Sequence, residues 1–224
     1  MDFPEAGLGP KLSSLPCEGG GETSQTQAGG PRRPAFGLIP SEYQCAMLGF
    51  IFREFFEFAN DRLGSSAVDA ALSRCQLSTG GKYVNGGEYP PTELVQALGE
   101  ICRETGHQSR DLLLQFGEYL FTTLGNMPMP LPPTNDSFEF LEAVQEGFHG
   151  EIRTMFPGAK LPDLTHERRG PHELVLEYRS RLGLADLAEG LLIGCFRAYQ
   201  ENVAIEREDL EPGGKHVRFT LKRS

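Results

Sequence analysis

The sequence predicts an α+β fold, an N-terminal helical subdomain followed by a four-stranded antiparallel sheet with interleaved helices. Three observations predict it. Apolar residues recur at helical spacing from Tyr43 to Phe156. Beyond Asp163 the pattern turns to strand-like alternation in two runs, each doubling back across a Gly- and Pro-containing turn. Between these runs, Leu184 to Tyr199 returns to the helical period, so helices precede and interrupt an antiparallel sheet.

The elements follow in order. Met47, Ile51, Phe52, Phe55, Phe56 and Phe58 supply an apolar face from Tyr43 to Gly64, and a short helix follows from Ser66 to Cys75. Ser78 to Pro91 reads as a glycine-rich loop. Thr92 is expected to cap a helix whose Leu94, Val95, Leu98, Ile101 and Cys102 form one stripe before Gly106 ends it. Ser109 opens the next helix, with Leu112, Leu113, Phe116 and Leu120 inward and Gly125 as its stop. Met127 to Pro133 is a proline-stiffened connector. Ser137 is expected to cap a helix running to Phe156, with Leu141, Val144, Phe148, Ile152 and Met155 inward and Pro157-Gly158 as terminator. Asp163 to Glu167 and Glu173 to Tyr178 form the first hairpin; Val203 to Asp209 and His216 to Leu221 form the last, around Pro212-Gly213-Gly214.

Residues 1–40 differ in kind. They are Gly, Pro, Ser, Thr and Gln with isolated apolar residues, too few to offset the entropy of ordering, so a disordered tail is expected before a domain spanning 41–224. Twenty-one basic against 31 acidic side chains give a net charge of −10, which repels phosphate backbones and anionic lipid; neither nucleic acid nor membrane is an expected partner. No apolar run approaches the roughly 20 residues a bilayer span needs, and the N-terminus shows no signal-peptide pattern. The five cysteines are scattered singly, which fits a reducing, cytoplasmic setting.

Enzyme signatures are thin. There is no dinucleotide fingerprint, P-loop, nucleophile elbow or His-Glu-x-x-His. His166 and His172 flank a hairpin turn without a third ligand beside them and read as solvated. Cys75, Cys102 and Cys195 fall on apolar helix faces, where a thiol serves as a small core side chain. His149 stands apart, one residue after Phe148 and three before Ile152 on an otherwise apolar helix. That is the setting of a structural histidine and also of an axial haem ligand.

The segment from Phe140 through His149 to Pro162 resembles the proximal helix of the haem-nitric oxide/oxygen binding (H-NOX) family. In that family the histidine binds haem iron and a proline thirteen residues later distorts the macrocycle; Pro162 stands at that interval from His149. Tyr178-Arg-Ser180 resembles the start of the family's Tyr-x-Ser-x-Arg element, whose side chains grip the haem propionates. Met47-Leu-Gly-Phe-Ile51 and Gly117-Glu-Tyr-Leu-Phe121 resemble further family segments, so the likeness runs from Met47 to about Leu221. The resemblance implies haem b held by His149, with Pro162, Tyr178, Ser180 and Arg181 as cofactor contacts and Ile51, Phe55 and Leu187 on the distal side.

One departure stands out. Four residues after Tyr178 the family has arginine, and here stands Leu182, with Arg181 one place early. Adjacent side chains of an extended segment point oppositely, so Arg181 is expected to aim away from the propionates. The resemblance implies a sensor of nitric oxide and carbon monoxide, not an enzyme, signalling in trans to a separate histidine kinase or cyclic-nucleotide enzyme. Oxygen-binding relatives carry tyrosine at position 187, and leucine donates no hydrogen bond, so a stable oxygen complex is not expected. The alternative is a degenerate, haem-free H-NOX-like module for ligand or protein interaction.

Overall fold

Helix α1 (Gly49–Leu63) forms where the phenylalanine-rich stripe places it, and buries Phe52 and Phe55 almost completely with Phe50, Phe58 and Ala59 beside them. The computed structural model describes residues 46–127 and 131–224; the expected tail and Pro128 to Pro130 of the connector lie outside the described residues. The helix is shorter than its apolar pattern, because Met47–Leu48 form β1 instead, paired antiparallel with β2 (Glu88–Tyr89). The glycine-rich loop therefore contributes a strand, too short for an alternating pattern to reveal. That loop is anchored by Glu93, whose buried carboxylate accepts from the Ser78 backbone N–H at 2.9 Å and from the hydroxyls of Ser78, Thr79 and Tyr83.

Helix α2 (Ser65–Leu72) packs on α3 (Pro91–Thr105), followed by α4 (Ser109–Thr123). Two expectations for α3 are corrected. Pro90, not Thr92, holds the cap position, so Thr92 lies inside the first turn. Val95 is 51% exposed, because the stripe runs through Leu94, Ala97, Leu98 and Ile101 and position 95 is rotated about 100° off it. Gly106 ends the helix in the left-handed conformation, as expected.

The expected helix from Ser137 to Phe156 is three pieces: α5 (Ser137–Ala143), a π-helical turn (Val144–Phe148) and α6 (His149–Met155). The cap is Asp136, whose carboxylate accepts from the Phe138 and Glu139 N–H groups at 2.9 and 3.0 Å; Ser137 is the first helical residue and donates its hydroxyl to Glu201. Both are good caps by composition, but Asp136 also pairs with Arg223 at 2.8 Å, which selects it. Met155 is 48% exposed rather than inward: it is the last residue of α6, one turn beyond Ile152, which is buried as expected.

The sheet has the order β3-β4-β6-β5 and is antiparallel throughout, with β3 (Asp163–Arg168), β4 (Glu173–Arg179), β5 (Val203–Glu211) and β6 (His216–Arg223). Register Leu164↔Tyr178 and Tyr178↔Val217 puts Leu174, Leu176 and Tyr178 on the face shared with Val217, Phe219 and Leu221. Helix α7 (Ala185–Ala198) covers that face with Leu192 and Phe196.

Helices α4 and α7 come into backbone contact through glycines. A Cβ on Gly190 would strike the Leu114 carbonyl and lie 2.9 Å from the Gly117 Cα; one on Gly117 would lie 2.7 Å from the Gly190 Cα. This approach holds α7 against the helical half and the sheet at once. Cys195 is wholly buried on α7, and burial pushes its thiol up to about 12, which fits a core role; Cys75 and Cys102 are half-buried.

Candidate functional site

Two apolar clusters make up the interior, one helical and one built on the sheet, and a cavity lies between them. Its volume is about 220 Å³. Leu48 and Ile51 come to its wall from β1 and α1, Leu120 and Phe121 from α4, Phe140 from α5, Leu187 and Leu191 from α7, and Leu176 and Phe219 from the sheet. The wall is almost wholly apolar. Its polar side chains are His149, Tyr178, Ser180 and Lys160.

His149 opens α6 directly after the π-turn, and Phe148 beside it is buried. Burial, with Arg153 adding repulsion, holds its pKa at about 4, so the ring is uncharged at neutral pH and one nitrogen has a lone pair to give. Nδ1 lies 3.3 Å from the Gln145 Oε1, one helical turn back. Pro162 also reaches the wall, in the segment between α6 and β3.

Tyr178 is buried on β4, and burial raises its pKa, with the Ser180 side chain and the Leu184 backbone pulling the other way. Strand β4 ends at Arg179, and the next five residues turn the chain into α7. Gly183 adopts φ +66°, and a Cβ there would strike the Gly213 carbonyl, so the turn is pressed against the loop between β5 and β6. Within it Leu182 reaches the cavity wall, whereas Arg181 is exposed. Arg181 belongs instead to an adjoining polar hollow at the cavity's mouth, shared with Arg153, Lys160, Asp163 and Arg179. Phe55, grouped with Ile51 and Leu187 from sequence, is not among the lining residues; it packs behind the wall, edge-on to Phe116 at 5.2 Å.

These features suit an apolar molecule that carries a metal needing one neutral nitrogen ligand and that leaves anionic groups at a cation-bearing mouth. The sequence matches the haem-NO-binding family over residues 48–207. The chain belongs to the haem-NO-binding family. A search of curated protein sequences gave no match. Among solved structures, the chain is similar to the Fe(II) unliganded H-NOX protein of K. algicida, at 27% identity and a TM-score of 0.75 over 80% of this chain and 97% of that one. It is also similar to the Shewanella woodyi H-NOX solved with IWP-051 in the Fe(II)CO state, at 30% identity and TM-score 0.68, over 80% and 95% of the two chains. The S. oneidensis H-NOX solved in the Fe(II)NO state shares 20% identity and, at TM-score 0.72 over 80% of this chain and 99% of that one, the same fold.

As a haem-NO-binding domain, the chain has the fold of a haem-based gas sensor rather than of an enzyme. No helix among the described residues is long and apolar enough to cross a membrane. Two residues at the site escaped sequence reasoning. Lys160 has no signal in the sequence beyond its place two residues before Pro162. Gln145 has one, its spacing of four from His149, which on a helix places the two side chains together.

Proposed function

We propose that this domain is a cytoplasmic sensor of nitric oxide and carbon monoxide that carries haem b on His149 and signals in trans to a partner such as a histidine kinase or cyclic-nucleotide enzyme. The observation that carries the reading is a half-buried, uncharged imidazole on the wall of an otherwise apolar cavity in a domain of this family. Haem iron, when bound, supplies a coordination position for a diatomic gas. His149 would hold the iron, and Pro162 would lie against the macrocycle. Tyr178 and Ser180 are the hydroxyl donors for the propionates, and Lys160 and Arg181 supply positive charge at the mouth where those carboxylates leave the apolar wall. Ile51 and Leu187 form the distal wall, with Phe55 supporting it from behind; none donates a hydrogen bond, so the wall favours nitric oxide and carbon monoxide over oxygen.

His149 sits at the junction of the π-turn and α6, so a change in whether it is held by a bound metal would let that helix shift against the sheet, which is the movement a partner would read. Nitric oxide added to the ferrous haem-loaded protein tests this. Loss of the His149 bond, seen as the absorption change of iron that has lost one axial ligand, is expected; retention of six-coordinate iron would contradict the switch.

A second reading has one observation in its favour. Leu182 completes the apolar wall where the family has arginine, which suits a haem-free module that keeps the cavity for another apolar ligand. Failure of the wild-type protein to take up haem would favour it.

A further inference from the structure

Gln145 links two elements of the fold. It lies inside the π-helical turn, half-buried, and its side-chain oxygen serves two partners from different elements: the His149 Nδ1 at 3.3 Å and the backbone N–H of Leu164 at 3.2 Å. Leu164 belongs to β3, the edge strand of the sheet, so its bond to Gln145 satisfies a donor that no further strand covers. The bond also identifies the atom. Only the carbonyl oxygen of the amide can accept from a backbone N–H, so the group facing Leu164 is Oε1 and not the amide nitrogen.

The consequence falls on the imidazole. An oxygen acceptor facing Nδ1 requires Nδ1 to carry the proton, and a neutral ring has only one. Nε2 is then the unprotonated nitrogen, on the other side of the ring from Gln145. A metal-bound histidine commonly donates its second ring N–H to an oxygen acceptor in this manner, which fixes both tautomer and ring orientation.

From this geometry we infer that Gln145 is a positioning residue for the haem iron: by accepting from Nδ1–H while clamped by the Leu164 N–H, it holds His149 in the one tautomer whose Nε2 can bind metal. This rests on the haem reading above. It also ties His149 to β3 through a single amide, so ring and edge strand report on one another.

The test begins on the protein without haem, by long-range ¹H–¹⁵N NMR of its imidazoles at neutral pH. Wild-type His149 is expected as the Nδ1–H form, and Gln145→Leu and Gln145→Asn, which remove or shorten the acceptor, are expected to move it to the Nε2–H form. Finding the Nε2–H form in the wild type, or the Nδ1–H form unchanged in a folded variant, would overturn the inference, and the wild-type measurement decides it even if neither variant folds. On the haem-loaded protein, Gln145→Leu should keep a Soret band, change the iron–histidine stretching frequency, and weaken haem binding about ten- to a hundredfold. An unchanged frequency would contradict the positioning role. A wild-type protein that takes up no haem would instead overturn the haem reading and the inference with it, an outcome separate from haem bound with the wrong tautomer.

Discussion

The Ser180 hydroxyl accepts a hydrogen bond from the backbone N–H of Leu182 at 3.2 Å, closing a tight turn directly after β4. The bond fixes which of two neighbours faces inward. Leu182 reaches the cavity and Arg181 the polar hollow outside it, as the alternation of adjacent side chains leads one to expect.

That turn makes Leu182→Arg the informative substitution. A guanidinium there would reach the wall beside Tyr178 and Ser180 and add a charge-assisted hydrogen bond worth about 1.5–3 kcal/mol, or about ten- to a hundredfold in haem affinity. Transfer of haem to an apo-globin acceptor should slow accordingly, while the haem-free variant should melt earlier, since its new charge has no partner. Arg181→Ala should speed transfer only modestly. Complete loss of haem in Arg181→Ala would show that Arg181 reaches the propionates after all.

The α4–α7 contact gives a prediction about stability. Gly190→Ala forces a Cβ into the Leu114 carbonyl, and backbone cannot move aside as a side chain tip can. Destabilisation of about 1–3 kcal/mol or more is expected, read as a lower thermal midpoint of the haem-free protein. Gly99→Ala, on α3 with open space around its Cβ, is the control and should stabilise slightly.

Much of this arrangement was legible in the sequence, and the failures are instructive. Phe52, Phe55, Leu94, Leu98 and Phe116 are core residues at the spacing that predicted them, and both hairpins occur with turns where glycine and proline mark them. Val95 was misjudged because a stripe's edge is invisible when apolar residues adjoin it. The β1–β2 pair was missed because two-residue strands have no period. Met155 is misplaced because apolar spacing does not show where a helix ends, and Gln145 goes unnoticed because a polar residue on a helix ordinarily reads as solvated. Periodicity alone leaves His149 ambiguous between a structural residue and a ligand, and it is the resemblance that singles it out.

The cap of α5 responds to acid. Asp136 has its pKa held at about 2, first by the bonds from Arg223 and then by the Glu139 and Phe138 N–H groups, against the opposing effect of burial. A depressed carboxylate contributes stability that is complete above its unfolded pKa of about 3.9 and is lost as pH falls through the folded value. The pair is partly exposed and its worth accordingly modest. Thermal midpoints of wild type and Asp136→Asn should therefore differ at neutral pH and converge as pH falls toward about 2. A constant difference would mean the Arg223 pairing is not the source.

If Ile51 and Leu187 form the distal wall as proposed, that wall has no donor, and ferrous haem-loaded protein should bind carbon monoxide and nitric oxide but hold no long-lived oxygen complex in air. Leu187→Tyr places a hydroxyl on that wall and should lengthen the lifetime of any oxygen complex. A wild-type protein stably oxygenated in air would contradict the assignment of Ile51 and Leu187 to the distal side.

Haem held by His149 is the claim on which the rest depends, and an absorption titration of the full-length protein with haem addresses it most directly. The account predicts a saturable Soret band in the wild type, lost in His149→Ala or restored there only by added imidazole, with His107, His166, His172 and His216 each replaceable without effect. An unchanged Soret spectrum in His149→Ala would contradict it.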